Sequence, residues 1–198
     1  MNPKIKITAE QKEILFGTLL GNGWLESSTG GQTYRFGFKQ KLEQTSYVTH
    51  VWSALEPLCG SPPITNQEDF QFKTLTLGVL RFYGHQFYAK DRKKKVPRLI
   101  HRWLTPRALA YWYMDDGYKD KKNACLLCTD SFEKKDVEKL CTALQRNFEL
   151  TCWLRKKQVS RNSVWRIYIS TDNVEKFLAL IDPYIVESMR YKLPGGSE

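Results

Sequence analysis

Two nearly matching helical segments, about half a chain apart, restrict the possible folds of this sequence more than any other feature. Residues 15–23 read Leu-Phe-Gly-Thr-Leu-Leu-Gly-Asn-Gly, and residues 109–117 read Leu-Ala-Tyr-Trp-Tyr-Met-Asp-Asp-Gly. Both are largely apolar, which is typical of buried helices, and both end in Gly, which commonly terminates a helix. Asn22 and Asp116 are 94 positions apart in a chain of 198 residues. This spacing predicts an internal duplication.

The start of each helix carries its own local signal. Thr8 followed by Gln11 predicts a capping box at the first helix, because each side chain can bind the other residue's backbone N–H. Thr105 followed by Pro106 supplies a cap and a proline at the first position of the second helix. Both helices should therefore begin sharply and end at their glycines.

The remainder of each half repeats one order of elements. Alternating or apolar runs predict strands at residues 34–39, 70–77, 125–129, 151–155 and 164–170. Helical spacing of apolar residues predicts further helices at residues 46–58, 80–88, 137–148 and 174–181. Each half then ends in Lys-x-Pro, at residues 95–97 and 192–194, and this second matched motif supports the duplication.

The charge of the chain points to a polyanionic partner. Lys and Arg number 31 against 21 Asp and Glu, which gives a net charge of +10 and a pI of about 9.4. An excess of this size favours nucleic acid as the partner, although charge alone also allows a basic protein that binds nucleic acid without sequence preference. Hydrophobic residues make up 41% of the chain, enough for a core without disulfide or metal support.

The five cysteines favour a reducing compartment, because their odd number forms no paired framework. Cys125 and Cys128 form a single C-x-x-C, and no second pair follows at zinc-site spacing, so two cysteines of a buried strand are the favoured interpretation. The sequence shows neither an apolar run of membrane-spanning length nor an N-terminal secretory signal. No membrane partner is expected.

The two helix ends are the predicted centre of chemistry. Gly17, Gly21 and Ala110 would allow the two helices to pack closely, which brings Asn22 and Asp116 together at their base. An acidic residue at a helix C-terminus is disfavoured by the helix dipole, so this position requires a nearby cation. Oxygen ligands at such a point suit Mg²⁺, which can activate a bound water against a phosphodiester.

At these residues the sequence resembles the LAGLIDADG homing endonucleases in their single-chain, two-repeat form, and in particular the I-SceI subgroup. Residues 104–117 (Leu-Thr-Pro-Arg-Ala-Leu-Ala-Tyr-Trp-Tyr-Met-Asp-Asp-Gly) carry the resemblance, and residues 61–63, 94–97, 129–132 and 191–194 support it. The resemblance implies an α+β fold of two pseudo-twofold-related αββαββα repeats, residues 1–97 and 98–198. A central pair of motif helices and two curved antiparallel sheets would form a saddle over duplex DNA.

The resemblance also implies a reaction and its residues. The reaction is metal-dependent hydrolysis of both strands of a long, asymmetric double-stranded DNA site, with Mg²⁺ as the cofactor and Mn²⁺ or Ca²⁺ able to occupy the same sites. The implied metal ligands are Asp116 and Asn22, with backbone carbonyls from Gly21 and Asp115. The implied active-site lysines are Lys192 and a partner, Lys94 or Lys95: the internal repeat favours Lys95, whereas spacing to the proline in the family favours Lys94.

Asn22 departs from the family, which has Asp at this position. An amide oxygen can ligate a cation but carries no charge and cannot act as a base, so cleavage of one strand or of neither is expected. Three interpretations follow: an engineered inactive or nicking variant, a natural binder that has lost cleavage, or an RNA maturase that holds structured intron RNA. A weakened or inactive endonuclease is favoured, because the other motif elements are present.

Basic and amide side chains on the predicted strands are the candidate DNA contacts. Phosphate contacts would provide affinity, and side chains on the exposed sheet face would read bases. The candidates are Arg35, Lys39, Gln40, Lys41, Gln71, Lys73, Lys93, Arg155, Lys157, Arg161, Arg166 and Tyr168. A monomer is expected, since the duplication already supplies a twofold relationship. The resemblance is compatible with an organelle (mitochondrion or chloroplast) or a prokaryotic cytoplasm.

Overall fold

The computed structural model describes residues 5–120, 124–160 and 162–195, which form two successive sets of helices and strands. The elements of the first set are α1 (Ala9–Leu20), β1 (Trp24–Glu26), β2 (Arg35–Lys41), α2 (Thr45–Leu55), β3 (Ile64–Asn66), β4 (Asp69–Lys73) and α3 (Arg81–Phe87). The elements of the second set are α4 (Pro106–Asp116), β5 (Gly117–Lys119), β6 (Cys125–Leu127), α5 (Lys134–Phe148), β7 (Cys152–Val159), β8 (Asn162–Ile169) and α6 (Val174–Ile181).

Each set contains one four-stranded antiparallel sheet, and the two sheets share one strand order. The first sheet runs β1-β2-β4-β3, and the second runs β5-β6-β8-β7. Every pairing within them is antiparallel. Because the same order of elements produces the same sheet twice, the structure confirms the expected α+β fold of two repeats.

The two motif helices, α1 and α4, pack against each other at the centre of the molecule. Both predicted caps are present: Thr8 and Gln11 form the capping box, and the Thr105 hydroxyl accepts a hydrogen bond from the backbone N–H of Ala108. A Cβ atom added to Gly17 would lie 2.4 Å from the backbone carbonyl oxygen of Ala108. Such close approach of two helix backbones requires glycine here, which confirms the expectation from the sequence.

One face of each sheet covers the core and the other remains polar. In β2, Phe36 and Phe38 are fully buried, while Arg35 and Lys39 are exposed. This agrees with the predicted alternation, since successive side chains of a strand point to opposite faces. The second sheet behaves in the same way, with Ile167 buried against the core. Each repeat therefore presents a polar sheet face on the side away from its helices.

Several element ends differ from the sequence predictions for identifiable reasons. The strand expected at 70–77 ends at Lys73, because the Thr74 hydroxyl accepts a hydrogen bond from the Phe36 N–H at 3.0 Å in place of a ladder carbonyl. The helix expected at 46–58 ends at Leu55, and a 3₁₀ turn containing Pro57 follows. The three-residue strands β1, β3 and β5 are too short to produce an alternation signal.

The predicted C-x-x-C pair lies at the end of β6. Cys125 is buried and accepts a hydrogen bond from the Tyr113 hydroxyl, while Cys128 is partly buried just beyond the strand. Among the described residues, no helix combines the length and the apolar character needed to cross a membrane.

Candidate active site and DNA interface

The ends of α1 and α4 lie next to each other at the centre of the molecule. Asn22 follows α1 immediately after Gly21, and Asp116 is the last residue of α4. The carboxylate Oδ2 of Asp115 accepts a hydrogen bond from the backbone N–H of Asn22 at 3.0 Å. The structure therefore brings together two motif ends that are 94 positions apart in the sequence.

The Asp115 side chain is buried and directed toward the first repeat. Its Oδ1 atom accepts hydrogen bonds from the Tyr47 hydroxyl at 3.0 Å and from the Gln40 amide Nε2 at 3.2 Å. Burial, and then the charge of neighbouring Asp116, raises the pKa of Asp115 to about 8. Asp115 thus links the first sheet, α2 and the end of α1.

Two lysines donate to the backbone carbonyls of the motif helix ends. Lys94 Nζ donates to the carbonyl oxygens of Gly21 at 2.7 Å and Gly23 at 3.0 Å. Lys192 Nζ donates to the carbonyl oxygens of Met114 at 2.5 Å and Asp115 at 2.9 Å. The two ammonium groups therefore occupy corresponding places in the two repeats, and they supply the cations that acidic residues at a helix C-terminus require.

Lys95 lies elsewhere, so the structure distinguishes the two lysines that the sequence left open. The Lys95 backbone N–H donates to the Phe87 carbonyl at 2.8 Å. Lys95 lines a separate cleft of about 760 Å³, together with Tyr34, Tyr88 and Arg92. Lys94 is the member of the pair that reaches the helix ends.

The charges at the helix ends influence one another strongly because water is largely excluded. Burial lowers the pKa of Lys94 to about 8, against the opposing effect of Asp116 and Asp115. Burial also raises the pKa of Asp116 to about 6, although Lys94 and Lys192 counteract this. Burial lowers the pKa of Lys192 as well. Proton affinities shifted in this way by burial and charge partners are typical of functional sites.

The donor atoms at the helix ends suit a hard divalent cation. They are oxygens of the Asp116 carboxylate, the Asn22 amide and the backbone carbonyls of Gly21 and Asp115. The Gly21 carbonyl accepts a hydrogen bond from Lys94, and the Asp115 carbonyl accepts one from Lys192. Mg²⁺, Mn²⁺ and Ca²⁺ favour such oxygen ligands. Within the described part of the chain, no group of three or more His, Cys, Asp or Glu side chains could hold a metal ion. Any metal here would depend on backbone, amide and water oxygens as well as on Asp116.

The polar face of the first sheet carries most of the predicted contact residues of that repeat. The strand register places Lys39 opposite Gln71 and Lys41 opposite Asp69, so these side chains share one face. Acidic neighbours hold some of the cations in place: Asp69 accepts from Lys39 Nζ at 2.6 Å. Glu26 likewise contacts Arg35 and Lys73. The predicted contact Lys93 is exposed outside the sheet, beside Asp91.

Gln40 could contact adenine only if the strand register directed it to the polar face, and the structure directs it to the other face. Gln40 lies one position after Lys39, so it points to the opposite face of β2. Its amide donates to Asp115 Oδ1, and this interaction assigns it to the buried network at the helix ends.

In the second sheet, three of the predicted residues, Arg155, Arg166 and Tyr168, lie together on the polar face. Arg166 donates to both carboxylate oxygens of Asp130, at 2.8 and 2.6 Å. The Arg155 guanidinium lies 3.5 Å from the centre of the Tyr168 ring, and Trp153 stacks on the same ring at 5.3 Å.

Tyr168 lies on the predicted face, but direct base contact by its ring is not compatible with this packing. Tyr168 is 5% exposed, and Arg155 and Trp153 both pack on its ring. Trp153, which no sequence motif marks, is 43% exposed and presents the accessible aromatic surface. Its position opposite Tyr168 in the β7–β8 register is the signal that could have identified it. Lys157 is exposed further along β7, and Arg161 lies outside the described residues.

Comparison with known proteins agrees with this geometry. Residues 12–177 match the LAGLIDADG DNA endonuclease family. The chain belongs to this family. The matched residues include the ends of α1 and α4, where Asn22 and Asp116 lie.

Similar LAGLIDADG proteins include both endonucleases and a maturase. The chain is 34% identical to DNA endonuclease I-ChuI of Chlamydomonas applanata, over 98% of this chain and 99% of that protein. It is 29% identical to probable intron-encoded endonuclease 1 of Wickerhamomyces canadensis, over 92% of this chain and 83% of the relative. It is also 29% identical to cytochrome b mRNA maturase bI2 of Saccharomyces cerevisiae, over 91% of this chain and 46% of that protein.

Solved structures show the same LAGLIDADG fold. The homing endonuclease I-WcaI bound to its DNA recognition sequence superposes with a TM-score of 0.85 and 27% identity, over 96% of this chain and 88% of that one. I-DmoI in complex with DNA and Mn superposes with a TM-score of 0.57 at 15% identity, over 87% and 96% of the two chains. The similarity to I-DmoI shows only that the two proteins share a fold.

Proposed function

We propose that this LAGLIDADG protein is a site-specific homing endonuclease that hydrolyses phosphodiesters of a long, asymmetric duplex DNA site with a divalent metal. The observation that carries the proposal is the convergence of Asp116, Lys94 and Lys192 at the paired helix ends. A carboxylate whose pKa responds to two partly desolvated ammonium groups at the same helix ends suits the binding of a phosphodiester.

The metal ligands in this proposal are Asp116, the Asn22 amide and the carbonyls of Gly21 and Asp115. A bound Mg²⁺ would supply Lewis acidity and a water of lowered pKa. The proposed role of Lys94 and Lys192 is to stabilise the charge that develops on the phosphate oxygens. Their burial makes this interaction stronger than it would be in open water.

Asn22 makes the two sides of the site unequal in charge. Asp116 supplies a carboxylate on the second repeat, whereas the first repeat offers a neutral amide at the corresponding position. We expect weaker metal binding on the Asn22 side, and hence nicking of one strand or no cleavage. Mg²⁺ is the proposed physiological metal, and Mn²⁺ or Ca²⁺ would occupy the same ligands.

The proposed DNA surface consists of the polar faces of both sheets. Its members are Arg35, Lys39, Lys41, Gln71, Lys73, Lys93, Arg155, Lys157 and Arg166, with Trp153 added from the structure. We further propose that the chain acts as a monomer with repeats at residues 1–97 and 98–198. An organelle or a prokaryotic cytoplasm is the proposed compartment.

An RNA maturase is the second candidate function. Asn22 favours it, because binding of structured intron RNA does not require an intact pair of acidic residues. The similarity to the yeast cytochrome b mRNA maturase bI2 also supports it. Duplex DNA and structured RNA compared at matched salt would separate the two candidates, since phosphate contacts make both affinities salt-dependent.

The decisive experiment is cleavage of a randomised duplex library in Mg²⁺, with sequencing of the ends. Asn22→Asp should raise double-strand cleavage by about 10- to 100-fold relative to the parent, the range typical of changes around a metal site. Gln145→Glu, on the exposed surface of α5, makes the same change from amide to carboxylate away from the helix ends and from both polar sheet faces, and should leave cleavage unchanged. Asp116→Asn in the Asn22→Asp background should abolish it. If no variant cuts or enriches any duplex, the endonuclease proposal is wrong.

A further inference from the structure

A second surface with the chemistry of nucleic-acid binding lies at the opposite end of the motif helices. It is an open groove of about 730 Å³ beside the first turns of α1 and the residues preceding α4. Its lining includes Lys12 and Phe16 of α1, Phe82 and Tyr83 of α3, and Trp103. We call this feature the aromatic groove.

The aromatic rings of the groove form a preorganised ledge. Trp103 stacks on Phe16 with ring centres 5.0 Å apart and ring planes at 10°. Phe82 stands almost perpendicular to Trp103, with centres 5.5 Å apart. Phe82 is nevertheless 46% exposed. An exposed ring held by buried neighbours offers a flat partner at little entropic cost, as base-stacking surfaces require.

Cations surround this ledge without acidic partners. Lys6, Lys12 and Arg102 line the groove and are exposed. Among the residues that the structure describes, none of these three forms an ion pair or a side-chain hydrogen bond. The groove's acidic residue, Glu13, already accepts a hydrogen bond from Arg107 at 3.2 Å. The exposed positive charge is therefore available to an anionic ligand.

The positive surface continues past Arg102 into a neighbouring cleft of about 330 Å³, lined by Arg98, His101 and Arg146 among others. The pKa of His101 is lowered by partial burial and, to a smaller extent, by the positive charges of Arg146 and Arg102. These charges are thus close enough to repel a further proton. Positive charge gathered in this way favours a chain of phosphates.

The aromatic groove is separate from the proposed DNA surface. Its helix residues belong to the first turns of α1, whereas Asn22 follows the last turn. A helix of 12 residues is about 18 Å long at 1.5 Å per residue. A duplex seated on the sheets would therefore leave the aromatic groove free.

We propose that the aromatic groove binds an unpaired stretch of RNA, with bases stacking on Phe82 and Trp103 and phosphates held by Lys6, Lys12 and Arg102. Duplex DNA hides its base faces, so an exposed aromatic ledge is of no use to it. RNA loops present unpaired bases, which proteins stack on aromatic rings and on Arg. A purely apolar protein partner would not require the three free cations.

The test compares two matched pairs of substitutions in the full chain. The groove variant is Phe82→Ala with Arg102→Ser, and the sheet variant is Trp153→Ala with Arg155→Ser, so each removes one exposed aromatic ring and one Arg. The probe is a fluorescent, unstructured single-stranded RNA of about 20 nucleotides, longer than a typical single-strand site. DNA of the same sequence, single-stranded and duplex, is measured in parallel at physiological salt.

We expect the groove variant to lose about tenfold or more in RNA affinity, the effect of one lost stacking contact together with a cation, with duplex affinity unchanged. The sheet variant should lose duplex affinity and keep its RNA affinity. Loss of RNA affinity in the sheet variant alone would overturn the proposal, as would equal groove-dependent binding of single-stranded DNA. Concentration-dependent self-association that Phe82→Ala removes, without any effect on RNA, would assign the groove to a second copy and also overturn it.

A second measurement keeps the proposal testable if the groove variant does not fold. Ultraviolet cross-linking of the same RNA to the unmodified protein, with duplex DNA in excess, should place cross-links on Phe82 or Trp103. Cross-links confined to the strands of the two sheets would contradict the proposal. None of these outcomes depends on cleavage, so failure of the endonuclease proposal would be recognised separately.

Discussion

The carboxylate of Asp115 accepts a hydrogen bond from the backbone N–H of Asn22 at 3.0 Å, and this contact joins the two repeats where both motif helices end. The duplication places Gly21 opposite Asp115. A Cβ atom on Gly21 would lie 2.4 Å from the Cβ of Asp115. One repeat therefore supplies the carboxylate and the other supplies the space for it, so the symmetry of the motif pair is broken at this point.

Loss of the Asp115 side chain should destabilise the protein. Asp115→Ala removes the acceptor of the Asn22 N–H and leaves the buried Tyr47 hydroxyl with only a 3.5 Å contact to the Tyr111 carbonyl. We expect a loss of about 2–4 kcal/mol in the free energy of unfolding, measured by urea denaturation. Asp182→Ala, which breaks the exposed ion pair with Arg190, is the control and should cost less than about 1 kcal/mol. Equal losses in both variants would mean that the buried network contributes little.

The packing of the motif helices predicts a strong effect at Gly17. The added methyl group of Gly17→Ala would lie 2.4 Å from the carbonyl oxygen of Ala108. We expect a loss of about 1–3 kcal/mol in the free energy of unfolding, because the helix backbones must move apart. Gly78→Ala, where the methyl group meets open space, should change stability by about 0.5 kcal/mol or less. A tolerated Gly17→Ala would contradict the close helix contact.

The adjacent lysines provide a matched comparison within the proposed active site. Lys94→Met removes the ammonium group that contacts the Gly21 carbonyl, whereas Lys95→Met changes a residue of the separate cleft. In the Asn22→Asp background, we expect Lys94→Met to lower the single-turnover cleavage rate by about 100-fold or more, as loss of a charge-stabilising donor does. Lys95→Met should have little effect. A loss of cleavage in Lys95→Met but not in Lys94→Met would instead favour Lys95, the lysine that the internal repeat selects.

The stability of the metal-free protein should fall as pH rises, and Asp115 should account for part of the fall. Burial raises the pKa of Asp115 to about 8, whereas a free Asp has a pKa of about 3.9. The folded protein thus holds a proton that the unfolded chain releases, so this contribution is complete below about pH 4 and is lost as pH rises through 8.

Melting temperatures between pH 5.5 and 7.5 in a chelator measure this effect. Below its own pKa of about 8, Lys94 is charged in both the folded and the unfolded state and adds little slope. Asp115→Asn should flatten the pH dependence, while Asp182→Asn should retain the parental slope. Identical slopes in the parent and Asp115→Asn would show that Asp115 is ionised throughout this range.

The sequence predicted the helices of this protein better than its strands. The capping residues Thr8 and Thr105 are local signals, and both motif helices begin and end where these signals indicate. The strand expected beyond Lys73 stops because a threonine hydroxyl from that segment takes over the ladder bond of Phe36. Three-residue strands form only because a neighbouring strand pairs with them, and spacing along the chain contains no such information.

The residues proposed for the candidate site came from sequence motifs, whereas their arrangement is visible only in the structure. Asn22, Asp116 and Lys192 follow from the two matched motifs. Gln40 was assigned to the DNA surface, yet its position one residue after Lys39 turns it toward Asp115. Tyr47 carries no motif signal, and its role is visible only through its hydrogen bond to Asp115.

The amino-acid order alone is therefore sufficient for the duplication, the apolar motif helices, the basic charge and the asymmetry at Asn22, because these depend on composition and short-range spacing. The contact of Lys94 with the helix ends, the orientation of Gln40 toward Asp115 and the packing of Arg155 on Tyr168 depend on residues distant in the chain. Such contacts are determined by how helices and sheets pack, since a shift of one residue along a strand reverses the face on which a side chain lies.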